Sequence, residues 1–133
     1  MYPRLIGDVN LDGRAEIIGF KDGEVHILYG SNSGFGTIQT QSIALTNSDG
    51  WLSQDIYPRL IGDVNGDGKS DIIGFKDGKI HIVYGDFIGF STNIEEQSIG
   101  AFTNAEGWIS FNAFPRYLAD IDGDGNDDIV GIK

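Results

Sequence analysis

The stretch Asp63-Val64-Asn65-Gly66-Asp67-Gly68-Lys69-Ser70-Asp71 decides the reading of this chain. It sets acid or amide oxygens at its first, third, fifth and ninth positions, with Gly68 at the sixth. A hard cation such as Ca²⁺ takes about six to eight oxygen ligands, which alternate side chains around a tight loop can supply. Asp63, Asn65, Asp67 and Asp71 are then side-chain ligands, Lys69 offers its backbone carbonyl, and Gly68 permits the sharp turn. The pattern recurs twice. One copy is Asp8, Asn10, Asp12, Gly13, Arg14, Glu16; the other is Asp120, Asp122, Asp124, Gly125, Asn126, Asp128, with Arg14 and Asn126 at the carbonyl position.

A single such loop reads equally well as a solvated turn, since Asp, Asn and Gly are common turn residues. Three copies in one register, each between apolar runs, point to metal, about three Ca²⁺ per chain. An EF-hand is excluded because it needs flanking helices and a bidentate Glu at the twelfth position. That position holds Gly19, Gly74 or Gly131, and the flanks Leu60-Ile61-Gly62 and Ile72-Ile73-Gly74-Phe75 read as strands. The loop belongs inside a β-hairpin.

The remaining composition agrees with this. Net charge is −11 over 133 residues, but ten of the twenty acids are the loop carboxylates, so metal sites account for much of the acidity. Nucleic acid is not an expected partner. Twenty glycines, three prolines and many short β-branched runs predict an all-β chain rich in turns. The absence of cysteine excludes a disulfide scaffold and thiol chemistry. No apolar run is long enough to span a membrane as a helix. No signal peptide is expected in the stretch after Met1, while calcium loops favour an extracellular or secreted setting.

Residues 2 to 30 align with 57 to 85, and 22 of the 29 positions are identical. Such near-identity fits recent duplication or design. The expected organisation is a single domain over 1–133, with repeats at 2–56 and 57–113 and a partial repeat at 114–133. Within a repeat the pattern predicts strands over 56–62, 71–75, 79–84 and, less regularly, 94–99, with Lys76-Asp77-Gly78 as a tight hairpin turn. Four short antiparallel strands per unit of this length predict β-propeller blades.

The loop between two strands resembles the calcium loop of integrin-α-type (FG-GAP or VCBS) propeller repeats. The longer string from Trp51 through Tyr57-Pro58-Arg59-Leu60-Ile61-Gly62 to Phe75 resembles the Psathyrella velutina lectin family. That resemblance covers essentially the whole chain. It implies propellers of about six or seven blades that bind N-acetylglucosamine-type sugars in pockets between blades. Tyr57 stands where the family pattern leads one to expect His, which bears on sugar preference.

Sugar sites combine an aromatic plane with a few fixed polar groups. Trp51 and Trp108, each following Asn-x-x-Gly at the crossing between repeats, are either pocket walls or packing plugs between blades. Arg59 and Arg116, directly after proline, either reach a ligand or form a structural ion pair. Asn47 and Asn104 either meet sugar hydroxyls or cap a turn, and Tyr57 completes the candidate carbohydrate set. His26 and His81 fall on the polar phase of the third strand and read as surface residues. The carboxylates are committed to metal and no serine has a convincing partner, so no enzyme is expected.

The function these readings support is a calcium-stabilised, carbohydrate-binding propeller fragment. The alternatives are a protein-binding adhesion or scaffold module and an engineered or reconstructed self-assembling repeat. Blades bury their faces only against other blades. Copies are therefore expected to associate head to tail into a ring, a trimer preferred and a dimer possible.

Overall fold

The computed structural model describes residues 2–133 and is all-β. The first blade is β1 (Arg4–Gly7), β2 (Glu16–Lys21), β3 (Glu24–Ser31) and β4 (Gly34–Ser42), antiparallel in the order β1-β2-β3-β4. A crossing with one 3₁₀ turn, Asn47–Asp49, leads to β5 (Arg59–Gly62), β6 (Asp71–Lys76) and β7 (Lys79–Val83). A small hairpin follows, β8 (Gly85–Asp86) with β9 (Gly89–Phe90), and β10 (Glu95–Ser98) completes the second blade in the order β10-β7-β6-β5. After a second 3₁₀ turn at Asn104–Glu106, β11 (Arg116–Ala119) and β12 (Asp128–Gly131) form a two-stranded sheet. Strand β5 lies between β1 and β11, which makes these the inner strands of successive blades. No helix among the described residues is long and apolar enough to cross a membrane.

Local chemistry explains the hairpins. Asp22 and Gly23, like Asp77 and Gly78, all have positive φ, the type I′ geometry that matches strand twist and that Asp-Gly tolerates. Two expected boundaries shift. The strand expected from residue 56 begins only at Arg59, because Tyr57 N–H donates to the Ser53 carbonyl and Ile56 N–H to Ser53 Oγ, folding the approach into turns. The strand expected over 94–99 shortens to Glu95–Ser98, and the unforeseen β8–β9 hairpin precedes it. Gln41 and Gln39 of β4 hold that hairpin against the first blade: Phe90 N–H donates to Gln41 Oε1 at 2.9 Å, and Gln39 Nε2 donates to the Ile88 carbonyl at 2.6 Å.

Burial follows position in the stack. In β2 only alternate residues are buried, including Ile18 and Phe20, as expected of a sheet covered on one face. In β6 five consecutive residues are buried, because blade two is covered on both faces. Ile72 and Val83 join Ile18, Phe20, Val25 and Ile27 in the core between blades one and two. Ile73, Phe75, Ile80 and Ile82 form the core against β11–β12, with Leu118 and Ile129 packed on it. Each fully buried Ile or Phe contributes roughly 1.5–3 kcal/mol, so the joints between blades carry most of the fold's stability.

Candidate metal loops and the inter-blade cleft

The three acidic loops repeat one hydrogen-bond diagram. The first-position carboxylates Asp8, Asp63 and Asp120 accept the sixth-position amides of Gly13, Gly68 and Gly125 at 2.9, 2.7 and 2.9 Å. The third-position oxygens of Asn10, Asn65 and Asp122 accept the fifth-position amides at 3.2, 3.2 and 3.1 Å. Asp12, Asp67 and Asp124 accept the seventh-position amides of Arg14, Lys69 and Asn126 at 2.9, 2.9 and 2.8 Å. The ninth-position carboxylates Glu16, Asp71 and Asp128 reach back to the amides of Val9, Val64 and Ile121. Glu16 and Asp71 also take the Gly30 and Gly85 amides, which ties each loop to its own blade.

The donor set fits a hard cation. The first, third, fifth and ninth positions all carry carboxylate or side-chain amide oxygens, the ligand chemistry of Ca²⁺. Carboxylate oxygens of Asp8, Asp12 and Glu16 gather within 4.8 Å of one another, as do those of Asp120, Asp122 and Asp124. Burial raises the Glu16 carboxyl and pushes Asp71 up to about 6, so a nearby cation offsets the cost of ionising these groups. The seventh-position side chains add a feature the pattern did not predict. Lys69 Nζ lies 2.9 Å from Asp67 Oδ2, and Arg14 Nη1 lies 3.3 Å from Asp12 Oδ2. These chains thus place an internal cation on a candidate ligand.

The residues expected around a sugar divide differently. Asn47 and Asn104 are spent on the turns. Asn47 Oδ1 accepts the Asp22 amide at 2.6 Å while its Nδ2 donates to Asp22 Oδ1 at 2.9 Å. Asn104 does the same with Asp77, at 2.7 and 2.8 Å. Thr46 and Thr103 bolt the same turns by accepting the Gly23 and Gly78 amides.

Arg59 and Arg116 are only 1% and 0% exposed, so neither offers a ligand its guanidinium. Neither forms an ion pair among the described residues, contrary to the structural alternative. Arg59 Nη1 donates to the Leu45 carbonyl at 2.8 Å, and its guanidinium stacks near Phe20 and Trp51, 5.2 and 5.9 Å from the ring centroids. Arg116 repeats this with the Phe102 carbonyl, Phe75 and Trp108. Burial lowers Arg59 to about 10, still a cation at neutral pH. Cation–π attraction offsets part of its desolvation, although its Nη2 has no hydrogen-bond partner.

Trp51 is 4% exposed and plugs the joint, with only an edge left for a pocket. The His81 ring meets it at 5.1 Å in a T-shaped contact, Tyr57 lies edge-on at 6.2 Å, and Lys76 Nζ sits 5.4 Å from it and 5.0 Å from Tyr57. Above this group opens a cleft of about 400 Å³ between the crossing and blade two, lined by Leu45, Asp49, Trp51, Lys76, His81 and Glu96. Register builds it: Gly74 pairs with His81 and His81 with Glu96, one row across β6, β7 and β10. His81 Nδ1 lies 3.4 Å from Glu96 Oε1, and burial lowers the imidazole pKa.

Such a row offers an apolar edge with carboxylate, amine and imidazole groups, a combination suited to a polyhydroxylated neutral ligand. Asp49, Lys76 and Glu96 were not singled out as site residues from the sequence, and His81 was read as a surface residue. Their signal was the glycine interior to a strand, opposite a histidine. Trp108 sits likewise with Phe102 at 5.1 Å and Phe114 at 6.2 Å, but is only partly buried, because β11–β12 covers it alone.

The FG-GAP-like repeat pattern matches residues 8–74. The structure of an Agrocybe aegerita lectin in specific recognition of non-reducing terminal N-acetylglucosamine superposes with a TM-score of 0.80 at 27% identity. The match covers 98% of this chain and 32% of the lectin chain, so this chain spans about a third of that protein's length. A Photorhabdus luminescens Tc holotoxin pore matches with a TM-score of 0.72 at 18% identity, over 98% of this chain and 6% of the toxin chain, and shows the fold alone. No curated protein sequence matches this chain.

Proposed function

Since this chain belongs to the FG-GAP-like repeat family, we propose that it is a calcium-stabilised carbohydrate-binding module that holds sugars in the clefts between blades without transforming them. The observation that carries the reading is the likeness, over 98% of the chain, to a lectin that recognises terminal N-acetylglucosamine. N-acetylglucosamine-type sugars are accordingly the expected ligands, in line with the Psathyrella velutina lectin resemblance. The cleft of Trp51, Lys76, His81 and Glu96 is the expected site, and Tyr57 supports it from below. Calcium has a structural role. It closes each loop beside the inner strands and so fixes the spacing of the pocket walls. The repeats 2–56, 57–113 and 114–133 are the units of this arrangement, and copies are expected to associate head to tail, with a trimer preferred and a dimer the alternative.

A glycan array run with calcium and again with chelator tests the reading. Binding to terminal N-acetylglucosamine with calcium, reduced by chelator, is the expected outcome. An array blank in both conditions overturns it and transfers the weight to a protein-binding adhesion module.

A further inference from the structure

Two joints between blades are built alike, and a third is half built. At the first joint a Cβ on Gly74 would lie 2.6 Å from Trp51 Cη2; at the second, a Cβ on Gly131 would lie 2.6 Å from Trp108 Cη2. Glycine is required at both. Gly19 occupies the same place in β2, and a Cβ there would meet nothing within 4 Å. The arginines agree: Arg59 and Arg116 are buried under the preceding crossing, whereas Arg4 is exposed. So do the lysines. Lys76 Nζ donates to the Gly50 carbonyl at 3.2 Å and Lys133 Nζ to the Glu106 carbonyl at 3.3 Å, while among the described residues Lys21 meets the Tyr2 ring, at 5.6 Å, and no such carbonyl. Around Gly19 an open cleft of about 250 Å³ is lined by Tyr2, Arg4, Phe20, Lys21 and His26, the counterparts of residues at the completed joint.

We propose that this face of blade one takes the Phe102–Trp108 crossing of a second copy of this chain, displacing that copy's β11–β12 and completing a further cleft between copies. Trp108 of the second copy would then cover Gly19, its Phe102 carbonyl would accept Arg4, and the cleft would be closed by Tyr2, Lys21 and His26. The fit rests on repetition of one interface. The crossing already holds Arg116, Gly131 and Lys133, and β1–β2 presents Arg4, Gly19 and Lys21 at the same positions. Exchange is favoured by sheet pairing. Strand β12 has no partner beyond β11, whereas β2 arrives already paired to β3, which is paired to β4. The inference rests on head-to-tail association and is independent of the sugar reading.

Sedimentation velocity on the full chain, with calcium and without sugar, from low to high micromolar, tests it. Wild type is expected to grow heavier with concentration. Gly19→Leu, whose side chain enters open space in the single copy, is expected to remain at 14.4 kDa with an unchanged melting curve. Arg4→Ala is expected to weaken association about tenfold, the loss of one charge-assisted hydrogen bond and its stacking. A wild type that stays monomeric throughout overturns association itself. Association that persists equally in Gly19→Leu and Arg4→Ala overturns this face while leaving association standing. Should Gly19→Leu fail to fold, Gly19→Ala and Arg4→Ala carry the same comparison.

Discussion

The six-membered ring of Trp51 abuts the backbone of Gly74, so close that a methyl group at Gly74 would sit 2.6 Å from Cη2 and 2.8 Å from Cζ3 of the indole. The contact joins the crossing after blade one to the second strand of blade two. It also props Arg59 between indole and Phe20. A glycine in mid-strand usually weakens a sheet, but here it is the floor on which the next joint is seated.

Gly74→Ala should therefore destabilise the fold by about 1–3 kcal/mol, the usual cost of overpacking, because the indole has no room to retreat. Gly19→Ala, at the matching place without a tryptophan in the single copy, should leave the stability of the dilute monomer unchanged or slightly improved. Thermal melting of the two variants side by side is the check. Equal losses in both would mean that the glycines serve the strand rather than the joint.

The cleft makes a different demand. His81→Ala and Glu96→Gln remove groups from the row beside Trp51 without touching its seat on Gly74. Each should weaken sugar binding about tenfold, the worth of one or two hydrogen bonds, with melting little altered. Trp51→Ala should instead cost about 3–5 kcal/mol and lose binding together with the fold. Titration calorimetry paired with melting separates the two classes. If Trp51→Ala stays folded and loses only sugar, the indole is a pocket wall and its packing role is overstated.

How much of this was legible in the sequence depends on range. The blade hairpins, the Asp-Gly turns and the acidic loops are local, and their patterns appear with little displacement in β1–β3 and β5–β7. The roles of Arg59, Asn47 and Trp51 are not local. Whether Arg59 meets a ligand, a carboxylate or a carbonyl is decided by where the Leu45 carbonyl and the Phe20 ring arrive from the preceding blade. His81 read as a surface residue because strand alternation cannot reveal that Trp51 of the preceding crossing covers it. The β8–β9 hairpin was missed for the same reason, since Gln39 and Gln41 hold it from across the joint.

Arg59 separates charge from packing. Arg59→Lys keeps the charge but loses the planar stack and the fork that reaches both Leu45 and Gln54. It should cost about 1–3 kcal/mol, the usual cost of leaving buried hydrogen-bonding groups unsatisfied. Arg59→Met, which fills similar volume without charge, should cost less. Chemical denaturation of both variants gives the comparison. A methionine variant less stable than the lysine variant would show that the guanidinium's interactions outweigh its desolvation.

The seventh position of the loops offers the sharpest test of the metal. Lys69 Nζ contacts Asp67 Oδ2 at 2.9 Å, on a carboxylate that the metal would also use. A partly exposed pair of this kind is worth about 0.2–1 kcal/mol. Lys69→Ala should then tighten calcium binding about two- to fivefold, since the cation no longer displaces an internal one. Asp67→Ala removes a ligand and should weaken binding far more. Chelation of the wild type should lower its melting temperature, because a ligand present at a hundredfold its dissociation constant stabilises the fold by about 2.7 kcal/mol. Calcium titration followed by calorimetry, with melting in calcium and in chelator, checks all three. Identical melting curves in the two buffers would remove calcium from the account of this fold. A Lys69→Ala variant that binds calcium more weakly would show instead that the lysine orients Asp67 toward the metal.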